Sequence, residues 1–185
     1  MKPRHISPHP AIRTGWLALL LLLLPALSAS AHHGFDAHAT LRLLESRSIL
    51  IVRMTPTVAS VLLGPEAPAR WTGDVSEESR GKLVALGERL FVISTPQGPL
   101  APVEVRVSRE VSQDIAFVLT YPSAKAWPLR IEAGFCKDFG PEFTGSIKIF
   151  APPSSPVERQ GKQLAALDLS RRERNLSLPS PDALP

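Results

Sequence analysis

The sequence predicts a mainly β fold, namely an immunoglobulin-like antiparallel β-sandwich with a short helical insertion. Three observations lead to this prediction. Several segments of about five to eight residues are rich in apolar residues, and Pro, Gly, Ser or Asp separate them at roughly even spacing. The segment from Val103 to Val107 alternates strictly between valine and charged residues, as a strand with one buried face does. A stretch with helical periodicity, from about Val75 to Leu90, interrupts the series after the second strand.

The first two predicted strands are ATLRLLES, residues 39–46, and RSILIVRM, from Arg47 to Met54. The second is short, rich in β-branched residues and flanked by charge, which is typical of a buried strand. Pro56 then suits the first position of a helix, and TVASVLLG ends at Gly64, a residue that favours helix termination. This segment therefore predicts one or two helical turns.

The second predicted helix begins after Asp74, which is expected to act as its N-cap. Glu77 follows three residues later, at the spacing of a capping box. Leu83, Leu86 and Leu90 fall on one face of such a helix. We therefore expect this face to pack against the core.

The remaining predicted strands follow the helix at short intervals. They are LFVIS, PLAP after the turn TPQG, VEVRV, DIAFVLTYP, LRIEAGF, FTGSIKIF, KQLAALDLS and NLSLP. In VEVRV, the alternation predicts that Val103, Val105 and Val107 face inward and that Glu104 and Arg106 face outward.

The first part of the chain has the organisation of a secretory signal peptide. The basic stretch MKPRHISPHPAIRTG precedes the apolar run WLALLLLLLPAL and the small residues SASA. Ala29 and Ala31 fit the small positions of an A-x-A cleavage site, so His32 is the predicted mature N-terminus. The apolar run from Trp16 to Leu24 is far shorter than the roughly 20 residues that span a bilayer. No membrane span is expected after cleavage.

Three regions follow from these patterns. They are a signal peptide over residues 1–31, a β-sandwich domain over residues 32–178 and a disordered tail over residues 179–185. The single cysteine, Cys136, excludes an intrachain disulfide. Because eukaryotic secreted domains of this size usually carry disulfides, a bacterial location is favoured, either periplasmic or secreted.

Net charge argues against a nucleic-acid partner. The whole chain carries a formal charge of +4. The predicted signal peptide holds Lys2, Arg4 and Arg13 and no acidic residue, so its removal lowers the net charge to +1. The mature chain thus lacks the strong positive charge that nucleic-acid binding requires.

A candidate metal site lies at the predicted mature N-terminus. All three histidines of the mature chain, His32, His33 and His38, occur in its first seven residues together with Asp36. Imidazole binds Cu(II) and Ni(II) well, and a free amine on His32 would add a further nitrogen ligand. Cleavage one residue earlier would place His33 third, which permits a square-planar nitrogen set. The predicted ligands of a copper or nickel ion are therefore these four residues, and the alternative is a solvated arm without a metal.

The sequence offers little support for catalysis, and no enzymatic activity is predicted. No histidine follows Cys136 to serve as its base, so a buried structural role is expected for this thiol. No G-x-S-x-G elbow, P-loop or GxGxxG motif occurs. Trp71 and Trp127 are expected to cap the edge of the sandwich, with a binding surface as the alternative reading.

The order of segments resembles that of a known extracytoplasmic domain. A histidine-led start is followed by FDAHATLRLLESRSILIVRM, a helical insert, LFVISTPQGPLAPVEVRVSREVSQDIAFVLTYP, PLRIEAGF and FTGSIKIF. This order resembles the N-terminal domain of HupE/UreJ-like membrane proteins, which are associated with nickel supply to hydrogenase and urease. The resemblance implies a periplasmic sandwich that works with a separate membrane partner, because the transmembrane helices of that family do not follow here. The histidine-led start is also similar to that of periplasmic copper-resistance sandwich proteins.

These observations predict an exported, non-enzymatic binding or interaction domain. Its partner would be a membrane or periplasmic protein, recognised through an exposed strand edge, and the domain would be accessory to a membrane metal-transport protein. The alternative is a small periplasmic copper- or nickel-binding protein that uses the N-terminal histidines.

Overall fold

The computed structural model describes residues 34–68, 71, 75–155 and 160–180. These residues form two α-helices and ten strands, with short 3-10 helices at Gly64–Glu66 and Gly134–Asp138. The helices are α1 (Pro56–Leu63) and α2 (Glu77–Leu90). The strands are β1 (Phe35–Leu43), β2 (Arg47–Met54), β3 (Val92–Thr95), β4 (Gly98–Leu100), β5 (Glu104–Arg109), β6 (Ile115–Pro122), β7 (Leu129–Glu132), β8 (Phe143–Phe150), β9 (Gln163–Leu169) and β10 (Asn175–Leu178).

The strands build two sheets that enclose one core, which confirms the predicted mainly β sandwich. The larger sheet has the order β5-β6-β2-β1-β8-β9, and the smaller has the order β10-β7-β3-β4. One pair departs from the prediction of antiparallel pairing, because β1 and β8 run parallel, with Ala39 opposite Ile147. The larger sheet is therefore mixed, and the immunoglobulin-like arrangement stays a prediction.

Alternation along the central strands separates a buried face from an outer face. In β1, Ala37 and Leu41 are buried while His38 between them is exposed. In β2, Leu50 and Val52 are buried and Arg53 is exposed. This period-two pattern is the one that a sheet covered on a single side requires.

The first helix begins as the sequence predicts. Pro56 occupies the first turn, where its missing N–H removes no hydrogen bond. Thr55 is the N-cap, and its hydroxyl accepts from the N–H of Val58 at 3.4 Å. The helix ends at Gly64, whose φ of 59° suits glycine.

The second helix starts later than predicted. Its N-cap is Ser76, whose hydroxyl accepts from the N–H of Ser79 at 3.3 Å. The predicted cap at Asp74 and the capping box with Glu77 are wrong, because Glu77 is the first helical residue; Asp74 itself lies outside the described residues. Ser76 stands directly before the first turn, where its hydroxyl reaches one of the orphan N–H groups of that turn.

The buried face of α2 lies against β5 and β6. Leu83, Leu86 and Leu90 are buried, as predicted from their spacing. Gly87 lies on the same side. A Cβ at this position would stand 2.9 Å from Val105 Cγ1 and 3.1 Å from the ring of Phe117. Glycine therefore lets the helix approach the larger sheet closely, and this approach fixes α2 beside β5.

Five phenylalanines connect the larger sheet to the segments around the smaller one. They are Phe35, Phe91, Phe135, Phe139 and Phe143. Phe139 stacks on Phe143 with ring centroids 4.9 Å apart, and Phe91 meets the edge of Phe135 at 5.6 Å. The predicted strand LRIEAGF ends at Glu132, since residues Gly134–Asp138 form a 3-10 helix that turns Phe135 into this cluster.

Several predictions fall on residues outside the described part of the chain. These are the signal peptide over residues 1–31, the histidines at positions 32 and 33, and residues 181–185 of the predicted tail. Within the described residues, no helix combines the length and apolar character needed to cross a membrane.

Candidate functional site

Two of the four predicted metal ligands lie on the first strand. Asp36 and His38 are two residues apart in β1, so both side chains belong to the outer face, while Ala37 between them is buried. The other two, His32 and His33, lie outside the described residues. Among the residues that are described, no group of three His, Cys, Asp or Glu side chains could hold a metal ion. The structure thus places half of the predicted set on one face and leaves the other half unassigned.

His38 has a polar neighbour on the adjacent strand. Its Nδ1 lies 3.0 Å from the hydroxyl oxygen of Ser146 in β8. Asp168 in β9 lies opposite Ser146 in the register. Across the outer face of the three strands, the hydroxyl of Ser146 therefore lies between the imidazole of His38 and the carboxylate of Asp168. A hydrolytic triad requires the imidazole between the hydroxyl and the carboxylate, so these three groups have the wrong order for that chemistry.

Cys136 is fully buried, as the sequence predicts, and it lies in the 3-10 helix Gly134–Asp138. Burial raises the pKa of its thiol to about 12, which opposes formation of the nucleophilic thiolate at neutral pH. Trp71 and Trp127 are half-buried against the core, and the indole N–H of Trp71 donates to the hydroxyl of Ser60 at 2.7 Å. These residues serve packing.

The edges of the two sheets are a structural feature that could bind another chain. The larger sheet ends in β5 on one side and β9 on the other, and the smaller ends in β10 and β4. Strand β4 has three residues and contains Pro99, and β10 has four residues. Short edges and proline discourage strand addition. Strand β9 has seven residues, but its ladder with β8 is irregular next to Phe150.

Strand β5 is the regular edge. Its six residues pair with β6 without a shift of register, and no further described strand pairs with its other side. We call that side, along Glu104–Arg109, the open edge.

The hydrogen bonds of the adjoining turn fix which backbone groups of β5 face the open edge. The N–H of Glu110 donates to the carbonyl of Asp114 at 2.9 Å, so these two residues form a hydrogen-bonded pair. Such pairs recur at every second residue of an antiparallel ladder. Ser108, Arg106 and Glu104 therefore bond to β6. The N–H and C=O groups of the residues between them, Val105 and Val107, point to the open edge.

A groove runs along the open edge, between β5 and α2. Its volume is about 480 Å³. We call it the β5 groove; it is lined by Arg80, Val84, Val105, Arg106, Val107, Ser108 and Val118. The helix forms one wall, which the close packing at Gly87 holds in place. The groove therefore combines backbone bonding groups with apolar side chains.

Both arginines of the β5 groove are exposed and only weakly engaged. Arg106 Nε lies 3.2 Å from Glu104, and its side chain is 70% exposed. Arg80 Nε lies 3.7 Å from Glu77, and its side chain is 51% exposed. Exposed ion pairs contribute little free energy, so both guanidinium groups can exchange these contacts for others at small cost.

The sequence predicted both the strand and the helix that form the walls of the β5 groove, but not that they lie side by side. The alternation of VEVRV identified β5, but nothing in that segment shows that α2 lies beside it. The available signal was Gly87, a glycine on the apolar face of a predicted helix, which indicates close packing against another element. No protein-family model and no curated protein matches the chain significantly.

Proposed function

We propose that this chain is an exported, non-enzymatic binding module that recognises a protein partner by accepting an extended segment of it beside β5. The observation that carries the proposal is the regular open edge of β5, where Val105 and Val107 direct their backbone groups outward beside an apolar groove. Backbone hydrogen bonds of this kind supply affinity in strand addition, and pockets for alternate side chains supply specificity.

The helix next to β5 makes this edge a selective one. Its buried leucines and Gly87 anchor it to the core, so the groove exists before a partner arrives. A preformed groove lowers the ordering cost of binding. The proposal places the chain in the bacterial periplasm after cleavage at residue 31, with a membrane or periplasmic protein as partner. The resemblance to HupE/UreJ-like domains supports a role accessory to a membrane metal-transport protein.

Site-specific photocrosslinking in the producing organism tests this proposal. A benzophenone amino acid replaces Ser108 in the β5 groove or, as the matched control, Ala166 on β9. Both positions are exposed on edge strands. We expect a discrete adduct from position 108, none from position 166, and loss of the adduct when Val107→Pro removes an N–H from the open edge. Equal adducts at both positions, or an adduct indifferent to Val107→Pro, would contradict the proposal.

A second candidate function, copper or nickel binding at the N-terminus, is favoured by the placement of Asp36 and His38 on one face of β1. Because Nδ1 of His38 faces Ser146, its Nε2 is the nitrogen available to an ion. Together with His32 and His33 the set would suit Cu(II) or Ni(II).

Isothermal titration of the mature protein with Cu(II) and with Ni(II) tests this candidate. Tight binding that is abolished by His32→Ala with His33→Ala, and weakened by His38→Ala, is the expected result. Lys148→Ala, on the same outer face, is the control. Tight binding that survives loss of both N-terminal histidines would exclude this ligand set.

A further inference from the structure

The lining of the β5 groove carries one sign of charge. Its side chains are four valines, one serine and the two arginines, Arg80 and Arg106, and no carboxylate is among them. The two arginines belong to different walls, since Arg80 is on α2 and Arg106 is on β5. A segment bound between them would meet a guanidinium group on each of its sides once the exposed pairs with Glu104 and Glu77 are exchanged for new ones.

The pleat of β5 determines what each side of an added strand would contact. Val105 and Val107 belong to the inner face, next to Val84 of α2, while Arg106 and Ser108 belong to the outer face. Directly opposite residues of paired strands point to the same face. An added strand would therefore place apolar side chains on the inner side and meet a guanidinium group on the outer side.

Resting on the proposed function, we infer that the segment accepted by β5 is acidic: an extended stretch of a partner protein in which apolar and carboxylate side chains alternate. The apolar side chains pack against Val84, Val105 and Val107. The carboxylates pair with Arg106 on the outer face, and a terminal carboxylate side chain reaches Arg80 at the helical wall. Guanidinium groups bind carboxylates with two parallel hydrogen bonds, which gives this pairing geometric selectivity.

A second copy of this chain fits the open edge less well. Antiparallel pairing of two β5 strands centred on Arg106 would set the two Arg106 side chains opposite each other. Centring on Val107 would set Glu104 opposite Glu110 of the other copy. Centring on Val105 would pair Val107 with Val103, whose N–H already donates to Thr120 at 2.8 Å. The first two of these registers meet like charges, and the third lacks a backbone donor although it sets Arg106 opposite Glu104; a partner with its own acidic strand avoids these three costs.

Short capped peptides in which Val alternates with Glu, Gln or Lys test the inference on the whole mature protein. Backbone amide shifts in NMR titrations report both the affinity and the location of binding. We expect the Glu peptide to shift the amides of Val105 and Val107 and to bind roughly tenfold more tightly than the Gln peptide at low salt, with the Lys peptide weakest. Raising the salt concentration should reduce this preference.

Charge variants assign the preference to the two arginines. Arg106→Gln combined with Arg80→Gln should abolish the difference between the Glu and Gln peptides while the shifts at β5 persist. Arg130→Gln removes the same charge from an exposed position on β7 and should leave the preference intact.

The outcomes separate this inference from the function on which it rests. Equal affinity for the Glu and Gln peptides, with shifts at β5, would overturn the acidic partner and leave strand addition standing. Shifts confined to other strands would overturn both. Dimerisation of the mature protein through β5, detected by sedimentation and by the same amide shifts, would replace the partner by a second copy.

Discussion

The two edges of the larger sheet limit strand addition by different means. At β9, the ladder is irregular next to Phe150, and the segment leading into the strand is held by a hydrogen bond from Ala151 N–H to Lys162 at 2.9 Å. At β5 the ladder is regular over all six residues, and Glu104 and Arg106 stand on its outer face. The ladder at β9 thus contains a register shift, whereas the ladder at β5 keeps its register and carries Glu104 and Arg106 on its outer face.

This difference has a functional meaning. A bulge disturbs the spacing of backbone groups and so opposes any added strand, whatever its sequence. Charge leaves the spacing intact and opposes only strands of the wrong chemistry. A sheet that must avoid aggregation and still bind one class of partner benefits from both devices.

The largest effect is expected at the entry to β9. Gly161 is packed so tightly that a Cβ would lie 2.1 Å from the carbonyl oxygen of Ala151. Gly161→Ala should therefore lower the free energy of unfolding by about 3 kcal/mol, because backbone must move to make room. Gly81→Ala, in α2 beside β5, is the control: nothing lies within 4 Å of its Cβ position. It should raise stability by about 1 kcal/mol through helix propensity.

Urea unfolding followed by circular dichroism measures both changes. A small loss at Gly161, comparable to the effect of an ordinary surface substitution, would mean that the entry to β9 can relax. The backbone at the β9 edge would then not be held rigidly, and the proposed difference between the β9 edge and the open edge of β5 would be contradicted.

Proline substitution at neighbouring positions of β5 tests the direction of its backbone groups. Ser108 bonds to β6, so Ser108→Pro should cost about 2 kcal/mol from a lost ladder bond and local distortion. Val107 directs its N–H to the open edge, where proline removes no intramolecular bond, so Val107→Pro should cost clearly less. Thermal unfolding of the pair ranks them, and the reverse order would show that the other set of residues faces the edge.

Tyr121, in strand β6 that pairs with β5, is expected to make the stability of the fold depend on alkaline pH. It is buried, its hydroxyl has no hydrogen-bond partner among the described residues, and burial raises its pKa from 10.0 to about 12. The folded state therefore disfavours the phenolate. This group's contribution to stability is complete below pH 10.0 and is lost as pH rises towards about 12.

Tyr121→Phe should remove that alkaline loss and raise stability at neutral pH by about 1 kcal/mol, since an unpaired buried hydroxyl is costly. Urea titrations of both proteins at neutral pH and at about pH 11 provide the comparison. A variant as sensitive to alkali as the parent would assign the loss to another group, of which the buried thiol of Cys136 is the next to test.

Local patterns predicted most of the strands and both helices. Leu83, Leu86 and Leu90 were predicted to be buried because helical periodicity depends only on neighbours in sequence. The parallel pairing of β1 with β8 could not be predicted in this way. It joins segments about a hundred residues apart, and no periodicity encodes which strands become neighbours.

The candidate site was harder to predict for the same reason. The β5 groove needs Arg80 and Val84 from a helix and Arg106 and Ser108 from a strand, and only the packing at Gly87 brings these walls together. The histidine-rich start was conspicuous in the sequence, yet the structure assigns positions to only His38 and Asp36 of that set. Chemistry-bearing residue types are visible in a sequence, whereas a backbone edge is not.

The smallest effect concerns where the open edge begins. Alternation predicts an inward Val103, but β5 starts at Glu104 and Val103 is 72% exposed, so that prediction is wrong. The cause is local. The N–H of Val103 donates to Thr120, which already lies opposite Glu104, so Val103 and Glu104 both face Thr120 and the alternation stops.

Val103→Thr should therefore change the free energy of unfolding by less than about 0.5 kcal/mol. Val105→Thr, which places a hydroxyl against the close contact at Gly87, should cost about 1 kcal/mol. Equal costs in urea unfolding would mean that the regular ladder extends to Val103, and the row of outward backbone groups would then be long enough to pair with a second copy.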